Sequence, residues 1–280
     1  AMLMLGTEAD PEVLANLRRQ LGLDLPLHVQ YFQWLRGAAL GDLGTSIRLG
    51  RPVASLILER LPVTASLAVL AMALTIIIGV PAGAYGAARR GRAADYLIAI
   101  FTQVGLAIPH FWLGILLILL FSMRWQLFPP GGFVPWGKDP WQAFLSLLLP
   151  ALALASHRIA QVARITRTSM LDALHKDYIR TGRGKGLPET VLLFKHALKN
   201  SLIPVVTVAG MQFAGLLAGS IVAEEVFALP GLGRLLLQAI GYRDLPLVQG
   251  ISLFIAAVVV IINFMTDILY LLLDPRVRYD

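Results

Sequence analysis

Uncharged apolar runs alternate along this chain with short polar stretches dense in Arg and Lys. A helix that crosses a bilayer needs roughly 20 predominantly apolar residues, and the pattern predicts five spans, at 61–88, 96–123, 141–155, 200–223 and 245–273. Charges delimit them: Arg89, Arg90 and Arg92 close the first, and Arg158 and Arg164 lie beyond the third. Pro81, Pro109 and Pro150 fall inside spans, where each kinks a helix if neighbours satisfy the freed carbonyl. Residues 1–60 read differently, as an amphipathic segment. Asp10, Pro11 and Glu12 supply an N-cap, a first-position proline and a first-turn acid, Gly22 a stop, and Val13, Leu14, Leu17 and Leu21 an apolar stripe between them. A second amphipathic stretch follows Pro26, with Val29, Phe32, Trp34 and Leu35 among polar residues. Gly41-Asp42-Leu43-Gly44-Thr45-Ser46 reads as a turn, and Arg51-Pro52 opens a helix toward Glu59-Arg60.

Composition makes this an integral membrane protein. The chain is 57% hydrophobic and only 15% charged, with a mean hydropathy of +0.70, too little charge to cover a soluble domain of 280 residues. A net charge of +7 fits nucleic acid less well than orientation, because the basic residues collect between spans. Arg89 to Arg92, the loop 164–199 and Arg276 with Arg278 fall on one side, which the positive-inside rule makes cytoplasmic. Residues 1–60, 124–140 and 224–244 fall on the other, so the chain starts outside and a sixth span N-terminal to Ala1 is implied. The two-part division is thus an extracytoplasmic amphipathic segment, 1–60, and a transmembrane domain, 61–275, containing the cytoplasmic loop. There is no cysteine, which removes disulfides and thiolate chemistry.

Catalytic signatures are missing. No HExxH or GxSxG motif occurs, and His28, His110, His157, His175 and His196 show no ligand pairing with nearby carboxylates, so no catalytic residue, metal or cofactor is assigned. Gly182-Arg183-Gly184-Lys185-Gly186 resembles a phosphate loop only superficially, since Gly186 stands where Ser or Thr is required and no strand precedes it. Within the spans, Asn263 and Asp267 lie one helical turn apart. Asp267 is a proton-relay candidate, but without further acids or histidines at its depth it reads better as a hydrogen-bonded tie to a neighbouring helix. Gln103, His110 and Gln212 either line a polar pathway or bridge helices. The acidic pair Glu224-Glu225, before Phe227 and the turn Pro230-Gly231, either greets a cationic ligand or closes the mouth of the bundle, with the second favoured.

The densest polar motif runs from Tyr178 to Pro204. It carries Arg180, Arg183, Lys185, Lys195 and Lys199, and its glycines and Pro188 break it into short helical pieces. A short helix is predicted from about Asp177 to Leu187, with Gly186 in the left-handed turn that ends it and Pro188 preventing continuation. This stretch is either a loop that only orients the protein or a docking element for a cytoplasmic partner.

With these residues laid out, the chain resembles the inner-membrane permease subunits of ABC importers of the dipeptide/oligopeptide/nickel type, over essentially its whole length. The resemblance rests on Gly41-Asp42-Leu43-Gly44 with Arg51-Pro52-Val53, on Ile108-Pro109-His110-Phe111-Trp112-Leu113-Gly114, and on Tyr178-Ile179-Arg180-Thr181-Gly182-Arg183-Gly184-Lys185-Gly186-Leu187. It continues in Glu225-Val226-Phe227, Pro230-Gly231-Leu232-Gly233, Arg243-Asp244-Leu245-Pro246 and Asp274-Pro275-Arg276-Val277-Arg278-Tyr279. It implies an all-α polytopic bundle, the type I permease fold of ABC importers, in the inner membrane. Such a subunit moves di- or oligopeptides or a related small solute by alternating access, with a second permease, two cytoplasmic ATPases and an extracytoplasmic solute-binding protein. The subunit is itself no enzyme, because ATP is hydrolysed by the ATPases. The family's "EAA" coupling loop would be the basic stretch, with Arg180, Thr181 and Gly182 at the Glu-Ala-Ala positions and the family glycine at Gly186. The pattern's later proline falls on Lys199, the nearest proline being Pro204. The resemblance makes Asp177, Tyr178, Arg180, Thr181, Arg183, Lys185, Gly186 and Leu187 the ATPase-coupling residues. The competing class is a stand-alone channel or ion-coupled secondary transporter, which calls for intramembrane charge pairs or inverted repeats. The sequence does not name the solute, which the binding protein largely selects.

Overall fold

The computed structural model describes residue 12 and residues 24–273. The helix expected between Asp10 and Gly22, with its stripe Val13, Leu14, Leu17 and Leu21, lies outside the described residues, as does the ending from Asp274. Among those described the chain is helical and has no extended strand, only an isolated bridge between Thr45 and Pro52. Helix α1 (Leu27–Ala39) follows Pro26 and buries none of its residues. Pro52 then opens α2 (Val53–Ala88), which starts before the expected span and runs through Pro62 and Pro81.

The second expected span is not one kinked helix. It is α3 (Ala93–Ala107) and α4 (His110–Leu117), with α4 continuing as a π-helical stretch over Ile118–Arg124. The two arms are bent by 102°. Pro109 has no N–H to donate, and the residue before a proline is pushed out of the helical region. Ile108 accordingly adopts φ −79°, ψ 124°, so the helix breaks there.

Helix α5 (Pro140–Leu174) also departs from expectation. Asp139 caps it, accepting hydrogen bonds from the N–H groups of Trp141 (3.0 Å) and Gln142 (3.1 Å). Instead of ending near residue 155, it runs on through Arg158 and Arg164. A charge marks where apolar character ends, whereas a helix ends at Gly, Pro or a cap, and none occurs between 156 and 174. At 1.5 Å per residue the helix is about 52 Å long, well beyond the roughly 30 Å hydrocarbon layer.

Helix α6 (Asp177–Gly184) follows directly. A turn at Glu189–Val191 and a π-helical stretch over Leu192–Ala197 then lead into α7 (Leu198–Val226). Residues 164–199 are therefore mostly helical rather than a loop. Helices α8 (Leu232–Gly241) and α9 (Leu245–Leu273) complete the chain. Among the described residues, four helices are long and apolar enough to cross a membrane, or five if the bent α3–α4 pair counts as one.

The most extensive packing joins α2 to α5. Glycines make it close: a Cβ on Gly83 would lie 2.3 Å from the Ala163 carbonyl oxygen and 2.7 Å from Thr166 Cβ, and one on Gly79 would lie 3.1 Å from Val162. Small residues let membrane helices approach where lipid supplies no hydrophobic drive between them. Around this seam Leu67, Ala71, Leu147, Leu154, Leu216 and Phe227 form the central core.

Gly83→Ala must push α2 from α5, and it should lower the unfolding free energy of the purified protein by about 1–3 kcal/mol. Gly184→Ala, which adds a Cβ to open space on a helix, should be neutral or stabilising by up to about 1 kcal/mol. Thermal unfolding in detergent compares the two.

Candidate functional site

The basic stretches that lie far apart in sequence meet at one end of the bundle. There Ala84 and Ala87 from the end of α2, Met170 and Ala173 from the end of α5, Ile179 of α6, and Leu192 and Ala197 form one buried apolar cluster. A carboxylate ties the same end together. Asp95 at the start of α3 accepts from Arg167 of α5 through both oxygens (2.6 and 2.9 Å) and from the Gly91 N–H (3.0 Å). The pairing of Asp95 with Arg167 was not anticipated from sequence, where their separation hides it.

Helix α6 lies on this cluster with Ile179 and Gly182 inward. Gly182 has no room for a side chain, because a Cβ would come within 2.7 Å of Leu192 Cδ2. The helix ends as glycine chemistry dictates. Gly186 has φ +76°, its N–H donates to the Arg183 carbonyl (2.9 Å), and the Leu187 N–H donates to the Gly182 carbonyl (3.1 Å). These two bonds are the Schellman pattern, closed by Leu187 packing back toward Gly182. Asp177, Tyr178, Arg180, Thr181, Arg183, Lys185, Gly186 and Leu187 all lie on the exposed side, with Tyr178 41% and Leu187 39% accessible. Arg183 is engaged within the chain. It forms a two-pronged pair with Glu189 (2.6 and 3.3 Å), which fastens the end of α6 to the next turn. The carboxylate beside it holds the Arg183 guanidinium above its ordinary value. Arg180 remains as the arginine of the outer face.

The opposite end is joined by two buried carboxylates. Asp244, 1% exposed, accepts from Ser46 Oγ (2.6 Å) and from the N–H groups of Ile47 (3.2 Å), Arg48 (3.1 Å) and Leu247 (3.3 Å). It therefore caps α9 and clamps the turn that begins at Gly41. Glu224 is fully buried. Its Oε1 accepts from Thr64 Oγ1 (2.7 Å) and its Oε2 from the N–H groups of Gly233 (2.7 Å) and Arg234 (3.0 Å), and the Leu232 N–H donates to Thr64 Oγ1 (2.8 Å). One acid thus locks α2, α7 and the start of α8. Of the two readings offered for the acidic pair, closing the mouth of the bundle is the one Glu224 performs.

Within the spans, Asn263 and Asp267 are both exposed on α9, and among the described residues Asp267 does not make the hydrogen-bonded tie expected of it. Gln212 donates to Gln161 Oε1, bridging α7 to α5. Gln161 also lies 2.9 Å from His157 Nε2, and Arg158 Nε donates to the Gln212 carbonyl (3.3 Å). His110 Nε2 is buried without a hydrogen-bond partner among the described residues. Gln103 lines a small cleft with Thr102, Arg164 and Arg167. Arg158, passed over as the charge beyond a span, is the central residue of this group.

A broken span, a long helix protruding on the basic side and a short helix lying across its end define a class. The chain superposes on the inward-facing MetNI methionine ABC transporter with a TM-score of 0.64 at 18% identity, covering 78% of this chain and 96% of that one. An amino acid ABC transporter matches with a TM-score of 0.54 at 20% identity, over 80% and 94% of the two chains. The fold is that of ABC importer transmembrane subunits.

The chain belongs to the family of binding-protein-dependent transport system inner membrane components, whose profile matches residues 79–279, and the N-terminal component of such proteins matches residues 1–68. It is 48% identical over 280 residues to a putative peptide transport system permease protein of Brucella abortus (strain 2308), covering 100% of this chain and 89% of the relative. The dipeptide transport system permease protein of Alkalihalophilus pseudofirmus is 39% identical (100% and 90% covered), and the glutathione transport system permease protein of Escherichia coli O6:H1 is 42% identical (100% and 89%). The chain is therefore a multi-pass inner-membrane permease subunit of an ABC importer, part of a complex in which a separate subunit is the ATPase.

Asp244→Ala strands a buried hydroxyl and several N–H groups, and should destabilise the protein by about 2–4 kcal/mol. Limited proteolysis should show faster cleavage between residues 41 and 51, with Asp244→Asn intermediate.

Proposed function

We propose that this subunit carries peptides or closely related solutes across the inner membrane together with a second permease, two cytoplasmic ATPases and an extracytoplasmic binding protein, and that α6 is the element through which ATP hydrolysis drives it. The geometry of α6 carries the reading. A short helix is held rigidly on its inner side by Ile179 and Gly182 and presents Tyr178, Arg180 and Leu187 outward, the arrangement a groove-docking helix needs. Because its buried face packs on the Leu192–Ala197 stretch, within the cluster that also holds the ends of α2 and α5, displacement of α6 is passed to the two most closely packed helices of the bundle. Closing of the ATPases would rock these helices and open the pathway to the other side.

Charge distribution supports the orientation. Arg89, Arg90, Arg92, Arg167 and the α6 stretch gather at one end, which we place in the cytoplasm. Residues 24–60, tied to the other end through Ser46 and Asp244, we place outside, where the exposed Tyr31 and Phe32 of α1 offer a face for the binding protein or the second permease. Peptide cargo is supported by the peptide-permease relatives.

Gly186→Val places a β-branched residue at φ +76°, a strain of about 1–2 kcal/mol confined to the end of α6. The variant should insert into the membrane normally, recover less ATPase on co-purification and lose most ATP-dependent peptide uptake. Normal uptake with normal ATPase recovery would reduce this stretch to an orienting loop.

A further inference from the structure

Arg158 is an ionisable side chain in a membrane-spanning helix with no ionic partner among the described residues. It lies about 25 Å along α5 from Trp141, within reach of the inner part of the hydrocarbon layer. An ionisable residue on a membrane span that faces the bundle is ordinarily retained with a counter-ion or for a function. Here no carboxylate among the described residues interacts with it, and its Nε donates only to the Gln212 carbonyl. Its Nη2 lies against a glycine face of α7, 3.2 Å from where a Cβ of Gly215 would be and 3.7 Å from that of Gly219. These glycines make the space into which the half-buried guanidinium fits, and neither of its Nη groups is hydrogen-bonded among the described residues. The groups around it are His110, whose buried Nε2 has no partner among the described residues and which lies within electrostatic reach of Arg158 and His157, together with Gln161 and Gln212. The cluster offers positive charge and hydrogen-bond donors but no acid.

We propose that Arg158, with His110 and Gln212 beside it, is a recognition site for the carboxylate of the translocating solute, on the face of α7 that lines the pathway. A planar guanidinium pairs with a carboxylate through two parallel hydrogen bonds, and the Nη groups of Arg158, free of hydrogen bonds to the described residues, are the donors such a pair uses. Such a contact replaces part of the hydration lost when an ionised terminus enters the membrane. That the carboxylate belongs to a peptide rests on the proposed function above; the anion site itself does not.

The test is saturation-transfer NMR on the permease–ATPase complex in lipid nanodiscs, without the binding protein and its own selectivity. The probes are the tripeptide Ala-Ala-Ala, its C-terminal amide, and benzoate as a carboxylate without peptide bonds. The free tripeptide should bind roughly tenfold more tightly than the amide, as expected for loss of a charge-assisted pair. Arg158→Gln should abolish the difference and Arg158→Lys keep part of it, with ATPase recovery reporting intact assembly for each. If neither tripeptide binds but benzoate binds in an Arg158-dependent manner, the site stands and the peptide reading fails. Equal binding of acid and amide by the wild type, together with benzoate binding unchanged in Arg158→Gln, overturns the site. Absence of binding by all three probes overturns it too, as expected if an acid from the second permease neutralises Arg158.

Discussion

In the hydrocarbon of a bilayer no water is available to satisfy a backbone N–H or C=O, so a crossing segment must bond to itself. That constraint makes the described chain helical, confines its irregular turns to the two ends of the bundle, and leaves side chains to decide how helices meet. Between α2 and α5 the decision falls to glycine, since Gly79 and Gly83 bring the backbones together where a Cβ at Gly83 would collide with α5 and one at Gly79 would crowd it. The one deep break, at Ile108 and Pro109, occurs where proline removes the donor that would have continued the helix.

The two ends are joined by different chemistry. At the end of the bundle that carries Glu224 and Asp244, these buried carboxylates gather hydrogen bonds from turns and from the first N–H groups of α8 and α9, where the helix dipole favours negative charge. At the basic end, α6 packs on the Leu192–Ala197 stretch, in one apolar cluster with the ends of α2 and α5, with the Asp95–Arg167 pair at the same end. The first arrangement holds its loops in one geometry. The second couples one short exposed helix to the longest helices in the bundle, which is what transmission of a stroke from a soluble partner requires.

Much of this was legible in the sequence, because spacing and local chemistry decide it. The five apolar runs, the proline interruption, the turn at Gly41 and the glycine at the end of α6 all follow from residues close together in the chain. The extent of α5 is not legible there, because Arg158 and Arg164 mark where apolar character ends and charge does not stop a helix. Contacts between distant residues left no local trace. Nothing near Asp244 announces Ser46, nothing near Glu224 announces Thr64, and nothing marks Asp95 as the partner of Arg167. The left-handed conformations of Ala228 and Arg243 are likewise imposed by the turns that deliver Glu224 and Asp244 to their partners, since neither residue type favours that region. Arg158 carried one weak signal, a charge without a nearby acid in an apolar context.

On the proposed function, an ATPase subunit covers the exposed face of α6 in the assembled transporter. The chain has no cysteine of its own, so a single cysteine at Thr181, on that face, reports accessibility directly. In inside-out vesicles a membrane-impermeant maleimide should label it slowly when the ATPase subunits are bound and rapidly once they are stripped away, while a cysteine at Lys138, at the opposite end of the bundle, stays unlabelled in both. Equal, rapid labelling at Thr181 with and without bound ATPase would contradict the account.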